Sequence, residues 1–307
     1  MKILLLTTGG TIASVIDDGV IDVTDSGRLL VLKKYKELDS DTQFDICSPI
    51  NILSENICND DYVAIAKTVL DIDFENYDGV IITHGSDTLA YTSALVGLLL
   101  CDTQIPVCLV AADKALEDER SNGMDNFIAA VKLIKTGAKG VFVPYRNSDN
   151  KVHIHYATKL FQSGILSDDF YSLGEEYSVF ENGIFTKSTH SETERLDTSE
   201  IDLSFSKKII QIMPYPQLDY TRIDTDGADA VLHHTYHAGS VCVNENKHLC
   251  ALSFMNRCKE KNIPFYICGL KKDKSNYDSM SQVLENGAVP LFDMAPACAY
   301  MKIMLEG

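Results

Sequence analysis

The stretch that most limits what this chain can become is residues 79–100, GVIITHGSDTLAYTSALVGLLL. It opens with Gly79-Val80-Ile81-Ile82, a short apolar run rich in β-branched side chains that suits a strand buried on both faces. The run breaks at His84-Gly85. Ser86 and Asp87 then precede residues 89–100, which are apolar almost all round and read as a buried helix. A hydroxyl and a carboxylate therefore stand where a strand hands over to a helix. In open α/β sheets ligands bind there, because loops at the carboxyl ends of parallel strands open a crevice and helix N-termini present free N–H donors. Ser and Asp are also ordinary helix N-caps, so this pair alone does not separate chemistry from capping.

A second stretch of the same kind occupies residues 1–14, MKILLLTTGGTIAS. Residues 3–6 read as another buried strand, and Gly9-Gly10 let the backbone turn tightly and approach a small ligand. Thr11 is presented at the tip. With both strands parallel in one sheet, Thr11 and Ser86-Asp87 emerge at the same edge, a hydroxyl facing a hydroxyl and a carboxylate. The TTGGT loop has neither the third glycine of G-x-G-x-x-G nor a P-loop lysine, which disfavours nucleotide binding and suits a hydroxyl nucleophile.

The segments TTGGTIAS and THGSDTL resemble the two signatures of the bacterial-type L-asparaginase family, cytoplasmic and type I-like, more often written TGGTIA and HGTDT. Their pairing, order and separation make the resemblance specific. It implies an amidohydrolase that converts L-asparagine to L-aspartate and ammonia through a threonine nucleophile, here Thr11, with no cofactor or metal. It further implies a catalytic set of Thr11, Ser86, Asp87 and Lys159, and a substrate cradle of Gly10, Ser54, Glu55, Gly85 and Asp87. Ser86 keeps the hydroxyl of the family's usual threonine without its methyl group.

Thr158-Lys159 is similar to the family's Thr-Lys, and Phe170 and Ser172 to the Phe-x-Ser that follows. The spacing between them is slightly longer than usual, so Lys151 stands as the alternative lysine. Ser54-Glu55 is similar to the family's substrate-binding Ser-Gln or Ser-Glu. A serine hydroxyl can donate to an α-carboxylate, while Glu55 and Asp87 can accept from an α-ammonium. Whether the lysine is neutral or charged stays open, because burial and a nearby Asp87 push in opposite directions.

Residues 14–32 carry turn chemistry, Asp17-Asp18-Gly19 and Ser26-Gly27, and read as either a lid or a polar hairpin. The resemblance favours the lid. The tyrosine that orients the nucleophile in many family members has no counterpart before Tyr35, leaving Thr24 and Ser26 as substitutes.

Elsewhere apolar runs and amphipathic stretches alternate. Strands are expected near residue 46 and at 50–53, 107–112, 141–143 and 152–156, with helices at 59–70 and 126–135. Residues 188–200, rich in Ser, Thr, Asp and Glu, read as a linker. Beyond it, strands at 208–213, 230–235 and 264–268 alternate with helices at 247–260, 279–285 and 296–305. The expected architecture is a larger N-terminal α/β domain (1–187) with a mostly parallel, flavodoxin- or Rossmann-like sheet flanked by helices. A linker (188–206) and a smaller C-terminal α/β domain (207–307) follow.

His153 and His155 share a strand face without a third ligand and are read as surface residues. His233-His234-Thr235-Tyr236-His237 lacks the glutamate and the helix of a zinc protease. Tyr236-His237-Ala238-Gly239 resembles the family's Tyr-Gly-x-Gly, from a small domain that closes a neighbouring subunit's site, which implies a homodimer or homotetramer.

A net charge of -17 argues against nucleic acid and anionic membranes as partners, leaving a small molecule. No run approaches the ~18 apolar residues of a membrane helix. Nine cysteines without a C-x-x-C favour reduced thiols, and the short apolar start is no signal-peptide core, so a cytoplasmic location is expected. Two other functions remain compatible with the motifs. One is a glutaminase or another amino-acid amidase, including a D-amino-acid amidase or the amide donor of a transamidation complex. The other is an amino-acid sensor that keeps the pocket without turnover.

Overall fold

The computed structural model describes residues 1–10, 12, 14–17, 20–23, 25–187, 194–196, 201–244, 246–272, 274–275 and 277–306, with the backbone alone at 14–17, 20–23, 25–29 and 187. The chain divides into two compact units, Met1–Phe205 and Ser206–Gly307.

In the first unit the order is β1 (Lys2–Thr7), β2 (Ser14–Asp17), β3 (Val20–Val23), α1 (Asp25–Lys36), β4 (Gln43–Cys47), α2 (Asn59–Leu70), β5 (Gly79–Thr83) and α3 (Leu89–Leu99). Then come β6 (Pro106–Val110), α4 (Gly123–Thr136), β7 (Gly140–Arg146), β8 (Val152–Tyr156), β9 (Ser178–Glu181) and β10 (Ile184–Lys187). Eight of these strands form one sheet in the order β10-β9-β8-β7-β6-β5-β1-β4. The strands from β4 to β7 are mutually parallel, and β8, β9 and β10 continue antiparallel.

The order of the parallel strands has a direct consequence. Numbered among themselves they run 2-1-3-4-5, the flavodoxin-like arrangement, whose strand order reverses between β1 and β5. Crossover connections leave opposite faces of the sheet at that point, so a crevice opens beyond the carboxyl ends of these two strands. Thr7 pairs with Thr83, so β1 and β5 end level.

Both sheet faces are covered, which explains the unbroken apolar strands. Ile3, Leu5, Ile81, Cys108 and Val110 pack with Val31, Leu32 and Tyr35 of α1 and Phe127, Val131 and Ile134 of α4. The intervening Leu4, Leu6, Val80, Ile82, Val107 and Leu109 are buried as well and by strand alternation face the other side. The helix over residues 89–100 is apolar all round because ten of its residues, from Leu89 to Leu99, are buried.

Several elements differ from expectation. β2 and β3 pair antiparallel, in keeping with the hairpin reading, while α1, a helix whose early glycine hides its period, was not expected. Residues 50–53 are no strand; Ile52 makes only a bridge to Gly9. Helix α2 spans the expected 59–70, its start fixed by Asp61 accepting from the Cys58 N–H. His155 is buried rather than on the surface, because the chain after β8 folds back in a Leu160–Ser172 bridge and Ser172 Oγ meets its Nδ1 at 2.8 Å. Burial pushes the His155 imidazole down to about 3. His153, partly exposed, is held between Glu176 and Asp149.

The stretch read as a linker is partly described, and several of its described residues pack within the first unit. Phe205 is buried against Tyr62, and Leu196 is buried too. The division between units accordingly falls after Phe205.

The second unit holds a four-stranded parallel sheet in the order β11 (Ile209–Ile212), β12 (Ala230–His234), β13 (Phe265–Leu270) and β14 (Val289–Phe292). Its helices are α5 (Ala251–Glu260), α6 (Asp278–Glu285) and α7 (Pro296–Leu305). Phe254, Met255, Met280 and Val283 pack on Val231 and Ile267 to form its core. Residues 247–260 are a short turn followed by α5 rather than one helix. His233 is buried with Nε2 against Tyr220 Oη at 2.8 Å, a core role in place of a ligand's.

Candidate active site

Three loops leave the carboxyl ends of β4, β1 and β5 and are laced together by backbone bonds. Thr8 donates both its N–H and its hydroxyl to Thr83 O, at 3.2 and 2.8 Å. Gly10 N–H donates to Ile52 O and Ile52 N–H to Thr8 O, each at 3.1 Å. Thr7 Oγ1 meets Ser48 Oγ at 2.7 Å. The first two threonines of TTGGT therefore serve as fasteners.

The glycines set how close the loops come. Gly10 has a φ of 79°, and a Cβ there would lie 2.3 Å from Gly85 N and 2.5 Å from Gly85 Cα. A Cβ on Gly85 would in turn lie 2.3 Å from Ser54 Oγ. Only residues without side chains allow these two backbones and the Ser54 hydroxyl to meet. The two sequence signatures are thus in direct contact at the point where the strand order reverses.

Beyond Gly85 the chain makes a single 3-10 turn, Ser86–Thr88, that runs into α3; a matching turn, Ser54–Asn56, touches it. Thr88 Oγ1 donates to Ser54 O at 3.1 Å. Glu55 and Asp87 hold the middle positions of the two turns and are exposed, whereas Ser54 is buried and Ser86 half-buried. Two carboxylates and two hydroxyls thereby ring the mouth of the crevice.

His84 fixes this turn from below. Its Nδ1 lies 2.8 Å from Gly85 O, which can only accept, so the proton sits on Nδ1 and Nε2 accepts from Thr92 Oγ1 at 2.9 Å. Full burial pushes this imidazole down to about 4, against a smaller upward effect of the Gly85 carbonyl. His84 is therefore neutral at neutral pH and acts as a clamp between the turn and α3.

Lys159 lies along the flank of α3. Thr158 packs on Gly97 near the helix end, and Gln162 Nε2 donates to Ser86 O at 3.2 Å at its beginning. Residues 158–162 therefore run the length of the helix that Ser86 and Asp87 initiate. Lys159 is buried, and its Nζ lies 2.5 Å from Glu194 Oε1. Lys151 sits elsewhere, 3.5 Å from Glu181 on β9. It precedes β8, which is three strand spacings, or ~14 Å, from β5.

Thr11 and Thr24 lie outside the described residues, as does the side chain of Ser26. Gly10 and the buried Ile12 flank position 11. Tyr35 is a core residue, packed edge-on against Phe44 and Phe127. Among the described residues no group of three or more His, Cys, Asp or Glu is placed to hold a metal ion.

Residues 2–164 match the family model described as Asparaginase, N-terminal. The chain belongs to the asparaginase family.

It is 27% identical over 313 residues to the L-asparaginase of Thermococcus kodakarensis, covering 99% of this chain and 92% of that one. It is 26% identical over 328 residues to a glutamyl-tRNA(Gln) amidotransferase subunit from Methanococcus maripaludis, covering 99% of this chain and 75% of that relative. The solved T. kodakarensis L-asparaginase superposes with a TM-score of 0.76 at 23% identity, over 99% of this chain and 92% of that chain. L-asparaginase I from Vibrio cholerae gives 0.77 at 20% identity, over 99% and 91%. At these identities the superpositions speak to the fold, a large helix-flanked sheet with a second four-stranded sheet.

As an asparaginase-family amidohydrolase, the protein has its signature loops where this fold binds ligands. His84, Thr88, Gln162 and Glu194 were not assigned site roles from the sequence. His84 and Thr88 belong to a signature already singled out. Gln162 and Glu194 carry no local signal, since they lie 76 and 35 residues from their partners.

Proposed function

We propose that this protein hydrolyses the side-chain amide of L-asparagine, with Thr11 as the nucleophile. The supporting observation is the contact between Gly10 and Gly85. Each is one peptide unit, ~3.8 Å between Cα atoms, from the residue that would do the chemistry, Thr11 and Ser86 respectively.

In this reading the α-carboxylate of the substrate accepts from Ser54, and its α-ammonium donates to Glu55 and Asp87. Gly10 and Gly85 let the loops that carry Thr11, Ser54 and Ser86 close together around the amino acid. Thr11 Oγ adds to the amide carbon while its proton passes along Ser86, Asp87 and Lys159 and on to the leaving nitrogen. The C–N bond breaks and ammonia departs. Water then attacks the resulting ester, the C–O bond to Thr11 breaks, and aspartate leaves with the hydroxyl regenerated. A small-molecule substrate and no cofactor are required.

The amidotransferase relatives favour a second reading, in which the amide comes from glutamine and the ammonia serves a partner. Ammonia release from L-asparagine, L-glutamine and their D-forms separates the two. Preference for L-asparagine supports the first reading, preference for L-glutamine the second, and saturable binding of either without ammonia would leave a sensor.

A further inference from the structure

Lys159 has a partner that neither signature supplies. The pair with Glu194 is well shielded, with 10% of the lysine and 21% of the glutamate side chain exposed. Glu194 is anchored by its neighbour Leu196, which is buried, while Arg195 makes an exposed pair with Asp102 just past the end of α3, Nη1 to Oδ1 2.7 Å. Thr158, next to Lys159, packs against Gly97 in the last turns of that same helix. Residues 194–196 and the end of α3 therefore hold the lysine from two sides.

A lysine amine sits on a long flexible stem and carries three donors. One donor given to Glu194 removes the freedom of the stem and sets the direction in which the remaining donors point. We infer that Glu194 is a positioning residue for Lys159, holding its amine in the orientation that amide hydrolysis needs. The inference rests on the role given to Lys159 above. Glu194 acts through that amine and touches no substrate. It also gives a task to an acidic stretch whose composition reads as a linker: detaching residues 194–196 from the first unit would silence the site without altering its signature loops.

The test uses the full chain and the variants Glu194→Gln, Glu194→Asp and Lys159→Ala. Two readouts are needed, steady-state ammonia release and the rate at which an amine-acylating reagent labels Lys159, followed by mass spectrometry. Glu194→Gln is expected to lower kcat roughly 10- to 100-fold with little change in KM, as loss of orientation does. Labelling of Lys159 is expected to speed up several-fold. Glu194→Asp, which keeps the charge on a shorter stem, is expected to recover part of both, and Lys159→Ala to make a further change at 194 silent. Unchanged labelling in Glu194→Gln overturns the inference, and so does faster labelling with kcat intact, since the pair would then be structural. A parent protein without turnover on any amino-acid amide would refute the proposed function instead, and the labelling ratio would still decide the pairing.

Discussion

Replacing Gly10 by alanine should separate the two signature loops and cost activity as well as stability. The added Cβ would stand 2.3 Å from Gly85 N, where ordinary contact begins at 3.4 Å, so something must move by 3.4 − 2.3, about 1.1 Å. The atoms it meets, Gly85 N, Gly85 Cα and His84 C, are all backbone, and no side-chain rotation relieves them. The loop after β5 is held by the His84 clamp to α3, so the displacement falls on the gap between positions 11 and 86–87. A misplacement of about 1 Å in reacting groups costs on the order of 100-fold in rate, or about 2.7 kcal/mol of barrier. The φ of 79° adds a backbone cost of roughly 1–2 kcal/mol to stability. Gly137→Ala is the matched control, because its φ is 70° and a Cβ there meets nothing within 4 Å. In urea titrations Gly137→Ala should lose the φ cost alone and Gly10→Ala at least as much, while in ammonia-release assays Gly10→Ala loses kcat and Gly137→Ala keeps it. A Gly10→Ala enzyme with parental kcat would refute the idea that the glycine contact sets the catalytic geometry.

Gly85→Ala should act mainly through Ser54, since its Cβ would lie 2.3 Å from Ser54 Oγ and 2.6 Å from Ser54 Cβ, and rotating the hydroxyl relieves only the first. Displacing Ser54 forfeits a charge-assisted hydrogen bond to substrate, so KM should rise on the order of 10-fold with a smaller change in kcat; a pure kcat effect would count against Ser54 as a substrate ligand. Lys151→Ala should leave turnover unchanged and alter stability by less than about 1 kcal/mol, because its pair with Glu181 is half-exposed on both sides. Loss of turnover there would return Lys151 to the catalytic set. His84 and His155 remain neutral in the folded state down to about 4 and about 3, whereas in the unfolded chain they protonate near 6.5. Their contribution is therefore intact above pH 6.5 and is lost as pH falls toward 4, by up to about 1.4 kcal/mol per pH unit for each histidine. Proton resonances of either ring that titrate with a midpoint near 6.5 in the folded protein would contradict this.

The elements that organise the site were readable because their environment is extreme. β1, β5 and α3 lie between covering layers, so nearly every residue is apolar and the glycines and polar groups at their ends stand out. Pro296 likewise marks the start of α7 and the apolar run its length. Where burial is partial the pattern fades. Helix α1 buries only Val31, Leu32 and Tyr35 among its described side chains, and β14 carries Pro290 inside the strand. The β9–β10 hairpin at the open edge went unread for the same reason, with Ser178 its one buried residue among those described. His155 misled because strand alternation tells which side chains share a face, but not that residues 160–173 fold back over it. The Lys159–Glu194 pair was invisible because it joins distant segments through one contact.

Covalent capture tests the central claim most directly. Protein mixed with L-asparagine and acid-quenched within a turnover should carry an aspartyl ester on the peptide that contains Thr11, and Thr11→Val should carry none. Turnover with the adduct on Ser86, or ammonia release that persists in Thr11→Val, would contradict the account.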